Sequence, residues 1–277
     1  MKQLIVYILL LINFSAPAQI TRSPLSAGYA GIGVYSRHFS DAFSGTVNQA
    51  ALAAINIPAA AIYGERRFML KDLSNYAAAL AIPSGLGGFG IGLKYFGGEN
   101  FSSSEAGLAY GKKLSDKIAI GLQFNYNMMR VPGYGNSSTV NFEVGALLQA
   151  TDKLCIGLHM YNPAGGRFGI AHTEKLASVY TTGLGYEVSR NFFTSIEITK
   201  EEDRPVNVNA GMQYIFAAQF FARAGVATGS SQYFFGVGVK WNLLRVDIVT
   251  TCHPQLGFTP AVMFLFDFRK NKEQQGQ

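Results

Sequence analysis

Charge is scarce in this chain. Of its 277 residues 14% are Asp, Glu, Lys or Arg and 48% are hydrophobic, where roughly 25% charged is usual for a soluble protein. Such a composition does not cover a water-facing surface. Two cysteines, Cys155 and Cys252, make neither a disulfide framework nor a zinc pattern, and whether they pair stays open. Four histidines, His38, His159, His172 and His253, share no spacing that builds a metal site on one element, so no metal and no cofactor is expected. Beyond the start there is no run of 18 apolar residues, which excludes a later membrane-spanning helix. The net charge of +6 is small and spread out, and the clusters Glu65-Arg66-Arg67 and Glu201-Glu202-Asp203-Arg204 mix both signs. A nucleic-acid footprint is therefore excluded as well.

What the chain does have is 13% aromatics and 31 glycines, a pairing suited to strands joined by tight turns. At the start, Lys2, the apolar stretch Leu4 to Ile12 and the small residues Ser15-Ala16-Pro17-Ala18 read as a secretory signal peptide cleaved after Ala18. Cleavage removes Lys2 and no acid, taking the charge from +6 to +5.

From Ile118 the sequence runs IAIGLQFNYNMM. Ile118, Ile120, Leu122, Phe124, Tyr126 and Met128 share one parity; Ala119, Gly121, Gln123, Asn125 and Asn127 share the other. A strand puts these sets on opposite faces. The polar face is amide and glycine instead of the Lys, Glu and Thr that a soluble sandwich turns to water. The pattern recurs in about 14 segments between residues 56 and 268, and the connections alternate between short (Ser115-Asp116, Thr151-Asp152, Ser189-Arg190, Ala217-Ala218, Asn242-Leu243) and longer (97–102, 131–137, 162–175, 201–204). Alternating strands of this kind, with short turns at one end and longer loops at the other, predict an all-β chain: a transmembrane antiparallel β-barrel of about 14 strands in up-and-down order.

Within this frame "GLGGFGIG", residues 85 to 92, is no dinucleotide loop despite the spacing of Gly85, Gly87 and Gly90, because a period-two strand and not a helix follows it. It predicts a turn leading into a strand whose glycines face inward. The inward parity also holds Lys94, Gln123, Asn125, Asn127, Glu143, His159, Asn207, Asn209, Lys240, Arg245 and Asp247, the candidate lumen-lining and ligand-path residues, together with Glu105, Glu187 and Glu197. Facing charges in a lumen either pair into a closing network or set selectivity. His159 could meet a loop serine, as in barrel lipases, but without G-x-S-x-G or an acid partner it reads as a polar lumen residue. No catalytic residue is assigned, and the chain reads as a non-enzyme.

Residues 26–55 read "SAGYAGIGVYSRHFSDAFSGTVNQAALAAI". With Gly28, Gly31, Gly33, Asp41, Asn48 and Leu52 this stretch resembles the start of the outer-membrane family that includes the FadL long-chain fatty-acid transporters and the PorV and PorQ proteins of the type IX secretion system. Gln49 stands where that family usually has proline, and a second Asn-Pro-Ala, Asn162-Pro163-Ala164, follows the seventh strand. The resemblance implies a small N-terminal plug over 19–55 inside the barrel of 56–268, with inward Gly107, Ala109, Gly111, Gly121, Gly145, Gly183 and Gly185 making room for it. The last nine residues, 269–277, read as a solvated, disordered periplasmic tail. These features together imply a Gram-negative outer-membrane channel or transporter for small or hydrophobic molecules, bathed in outer-membrane lipid. The alternatives are an accessory of PorV/PorQ type whose partners are secretion-machinery proteins, and an outer-membrane lipid hydrolase.

Overall fold

A computed structural model describes residues 19–20, 32–133, 135–168, 174–217, 219–229 and 231–268. The signal segment, Gly28, Gly31, His172 and the tail lie outside the described residues. Fourteen antiparallel strands close into a barrel. In chain order they are β1 (Ala59–Arg66), β2 (Ser74–Ser84), β3 (Gly87–Gly97), β4 (Ser102–Lys113), β5 (Ile118–Val131), β6 (Gly135–Gln149), β7 (Leu154–Tyr161), β8 (Val179–Glu187), β9 (Phe192–Glu201), β10 (Asn207–Phe216), β11 (Phe220–Ala227), β12 (Gln232–Trp241), β13 (Leu244–His253) and β14 (Gly257–Asp267). Each pairs with its chain neighbour, and β14 closes on β1 through pairs such as Val262–Gly64. Closure leaves the barrel itself without an edge strand, the arrangement that hydrocarbon requires.

The pleat sorts the side chains as the parity predicts. On β5, Phe124 is 59% exposed while Gln123 and Asn125 on either side are 2% and 1%. On β12, Tyr233, Phe235, Val237 and Trp241 are exposed while Phe234 is buried. Among the described residues no helix is long and apolar enough to cross a membrane.

The turns at one end are local chemistry. In three of them a hydroxyl accepts the backbone N–H groups two and three residues on: Ser115 from Lys117 and Ile118, Thr151 from Lys153 and Leu154, Ser189 from Asn191 and Phe192. This Ser/Thr turn fixes a short connection without needing glycine. In the glycine-rich connection Ser84 Oγ donates to Gly87 O at 2.8 Å and accepts from Leu86 N at 3.2 Å, and the turn opens into β3.

The opposite end holds a feature that the periodicity does not reveal. Residues 162–178 carry a small sheet in which Arg167–Phe168 pairs antiparallel with Glu174–Leu176, and Gln19–Ile20 pairs parallel with the latter. Asn162, at φ 50°, organises this loop. Its amide donates to Leu176 O at 2.6 Å, and its side-chain oxygen accepts from Gly166 N at 2.8 Å. Phe168 and Leu176 then pack on Tyr161 and Val179. The two cysteines are free: Cys155 is buried with inward parity, and Cys252 has outward parity on β13.

Candidate functional site: the barrel lumen

The inner wall carries a row of glycines. Gly88, Gly111, Gly121 and Gly145 are direct register partners across β3 to β6; Gly157 faces Gly183 across β7 and β8; Gly211 faces Gly225 across β10 and β11. Residues 32–56 lie against this row. They form short helical turns, Ile32–Tyr35, Ser44–Val47 and Gln49–Ala54, most of whose side chains are buried. A Cβ added at Gly121 would stand 2.3 Å from the Gln49 backbone, at Gly88 2.1 Å from Leu52 O, and at Gly145 2.1 Å from Asn48 Oδ1. Tyr35 fills the notch over Gly157, Gly183 and Gly185, where added Cβ atoms would come within 2.1 to 2.4 Å of it. These glycines accommodate the segment and do more than permit curvature. Contact this close is available only where the wall has no side chain.

Each marked residue of the segment has a local reason. Gly33 is required because a Cβ there would lie 2.4 Å from Phe39 O, where the chain folds back on itself. Asp41 Oδ1 accepts from Phe43 N at 3.0 Å while its own N–H donates to Ser44 Oγ at 2.9 Å, fastening the start of the next turn. Asn48 accepts from Ala50 N at 3.1 Å as an N-cap and donates to the wall carbonyl of Leu158 at 3.0 Å. Leu52, 2% exposed, sits over Gly88, Gly90 and Gly111.

Between segment and wall lies a buried carboxylate. Glu143 is fully enclosed and accepts from Asn125 Nδ2 at 2.7 Å, Gln123 Nε2 at 3.2 Å and Gln49 Nε2 at 3.0 Å; His159 Nε2 lies 2.8 Å from its other side. Both oxygens of this enclosed carboxyl group have partners, as buried polar groups require. Gln49, the departure from the usual proline, is the residue through which the segment joins this cluster.

On the far wall Arg245 makes a bidentate pair with Asp247 at 2.6 to 3.0 Å, stacks over Phe221 at 5.0 Å and reaches Asp41 Oδ2 at 3.5 Å. Arg223 lies 3.4 Å from Asp247. Towards the loops Lys94 pairs with Glu105 at 2.6 Å, Asn127 Nδ2 donates to Asn141 at 2.6 Å, and Asn209 Nδ2 donates to Glu197 at 3.3 Å. Asn207 is half-buried and holds Gly229 N of the neighbouring loop at 2.6 Å. Lys240 pairs with Asp267 at 3.0 Å near the short-turn end. The inward charges thus form pairs and networks. Of the expected residues, Gln123, Asn125, Glu143 and His159 meet in one cluster, Arg245 and Asp247 in another, and Asn207 donates to Asn209 at 3.0 Å, while Lys94 and Lys240 lie outside these groups.

Three contacts lie outside the expected set. Arg223, a single basic residue inside FFARAGVA, could have been flagged by its parity. Tyr35, whose hydroxyl donates to Glu197 at 2.8 Å, becomes visible only once β7 and β8 are in register. Burial and then the Glu197 carboxylate push its phenol well above the ordinary value of 10.0. Glu187 is held by Ser36 Oγ at 2.6 Å and Arg37 N at 2.8 Å, with His38 Nδ1 2.7 Å away, fixing the first turn of the segment to the wall.

Fourteen strands close in up-and-down order, with residues 32–54 packed on inward-facing glycines. This fold is similar to that of FadL-type barrels. A FadL homologue of Pseudomonas aeruginosa superposes with a TM-score of 0.59 at 12% identity, over 87% of this chain and 97% of that one. The toluene transporter TbuX of Ralstonia pickettii gives 0.61 at 11%, over 90% and 99%. The toluene transporter TodX of Pseudomonas putida gives 0.59 at 10%, over 86% and 96%. No family model matches the sequence, and no curated protein matches it either. At these identities the likeness is one of fold.

Proposed function

We propose that the protein is an outer-membrane channel for small hydrophobic molecules, exported by a signal peptide cleaved after Ala18, whose lumen is closed at rest by residues 32–56. The observation that carries this reading is the glycine row: a wall stripped of side chains where a separate segment of chain lies on it. A barrel of about 8 strands fills its interior with its own side chains, whereas fourteen strands enclose a wider space, which here the segment occupies. The structural neighbours TbuX and TodX are toluene transporters, which makes toluene-sized aromatics the first solutes to try. Transport then requires the segment to shift, and the Glu143 cluster is the latch that resists the shift. Permeation into liposomes containing the purified barrel tests this. Slow passage by the native protein and faster passage once the latch is broken support it; a variant with a loosened segment that admits no solute refutes it.

The extent to which the lumen is filled favours a second reading, an accessory of PorV/PorQ type that binds secretion-machinery proteins through its outer loops. Stoichiometric co-purification of such proteins from native membranes, with no permeation by any variant, selects it. We read the protein as non-enzymatic: His159 faces Glu143 in a closed cluster, and an esterase activity lost in His159→Ala would overturn that.

A further inference from the structure

The outer wall is not uniform. On β1 the outward positions are Ala60, Ile62, Gly64 and Arg66, while β3 turns Phe89, Ile91, Leu93 and Tyr95 outward. Because Gly64 and the nearby Ala78 of β2 are small, a groove of about 470 Å³ opens between walls formed by Ile62, Tyr76, Tyr95 and Val262, and its lining is almost wholly apolar. That is within the range of about 300–1,000 Å³ in which small-molecule sites fall. Tyr76 and Tyr95 are register partners with ring centroids 6.4 Å apart, each presenting an apolar body with a polar tip. Arg66 stands one outward position beyond Gly64 towards the loop end. Its side chain is exposed and has no hydrogen bond or ion pair among the described residues. Met69 and Leu70, 63% and 54% exposed, follow in the adjoining loop.

We propose that this groove is a binding site for one anionic membrane lipid, with an acyl chain lying on Gly64 and Ala78 and the phosphate at Arg66. A chain occupying the groove restores the dispersion contacts that a bare notch in the hydrocarbon belt forfeits. A guanidinium at the edge of that belt is the side chain best shaped for a phosphate. The site rests on the outer wall facing lipid and is independent of whether the lumen conducts.

The test uses the full-length folded protein in detergent, offered phosphatidylglycerol or phosphatidylcholine with identical chains, and native mass spectrometry to count retained lipids. Folding is checked by heat-dependent migration in gels. Native protein is expected to retain one lipid and to favour phosphatidylglycerol about five-fold, the equivalent of roughly 1 kcal/mol for one basic residue at an anionic surface. Gly64→Leu fills the groove and should abolish retention of both lipids. Its new Cβ meets Tyr76 at an ordinary 3.5 Å, so the barrel is expected to fold. Arg66→Gln should keep acyl binding and lose the preference. Ala224→Leu, outward on β11, should change nothing. Equal retention by native protein and Gly64→Leu overturns the proposal, as does a dimer in the native sample that Gly64→Leu dissolves.

Discussion

The two sides of the lumen hold the N-terminal segment by different means. Along β3 to β8 the wall is glycine, and the segment's backbone and Tyr35 touch it directly. Along β11 to β13 the wall presents Arg223, Arg245 and Asp247, which the segment meets through a long ion pair from Asp41, and also Phe234 and Val249, which share apolar clusters with Ile32 and with Ala42 and Phe43. Fit to bare backbone distinguishes the first side, and the ion pair with Asp41 distinguishes the second. A steric fit to rigid backbone fails abruptly when volume is added, whereas an ion pair at 3.5 Å weakens by degrees.

The comparison breaks most completely at Gly121. Gly121→Leu should unseat residues 32–56, because overpacking against a strand costs about 1–3 kcal/mol even where side chains can give, and here the obstacle is backbone. Protease cleavage within the segment and faster solute entry would report it. A folded Gly121→Leu barrel with the segment still protected would show that the fit is loose.

Glu143→Ala comes next. It leaves four polar groups facing a buried void, an effect expected at about 3 kcal/mol or more. Hydrogen exchange of residues 45–54 should accelerate while the strand amides stay protected. Gln49→Ala removes a single bond to that carboxylate and should cost about 1.5–3 kcal/mol in the same measurement. Asp41→Asn, on the ion-pair side, should change segment protection by less than about 1 kcal/mol. If it matches Gln49→Ala, the Asp41 ion pair holds the segment as firmly as the Gln49–Glu143 bond does.

Two pH effects are smaller still. Tyr35, with its raised value, contributes stability that is complete below its ordinary 10.0 and is lost as pH rises through the folded value. Ultraviolet titration should show one tyrosine ionising late, absent in Tyr35→Phe. Glu202, in the loop after β9, is lowered from 4.5 by its hydrogen bond from Lys175. Its contribution is present above 4.5 and disappears as pH falls through the lowered value; at an exposed site it should barely move the unfolding midpoint.

Much of this was legible in the chain. The strand count, the alternation of short and long connections and the inward parity of Glu143, His159, Arg245 and Asp247 follow from a period of two, because a pleated strand has only two faces. The turn hydroxyls Ser115, Thr151 and Ser189 were legible too, since they act within three residues. The pairing of Gln49 with Glu143 spans 94 positions, and that of Tyr35 with Glu197 spans 162. No local pattern encodes such distances.

The sequence by itself determined which side of each strand meets hydrocarbon, because side-chain polarity and the pleat leave no other arrangement. Only the closed barrel decided which glycines lie under Leu52, Gln49 and Tyr35, that the inward charges are paired, and that β1 carries a groove on its outer face. Closure and register set those neighbours, and both are properties of fourteen strands together and of none alone.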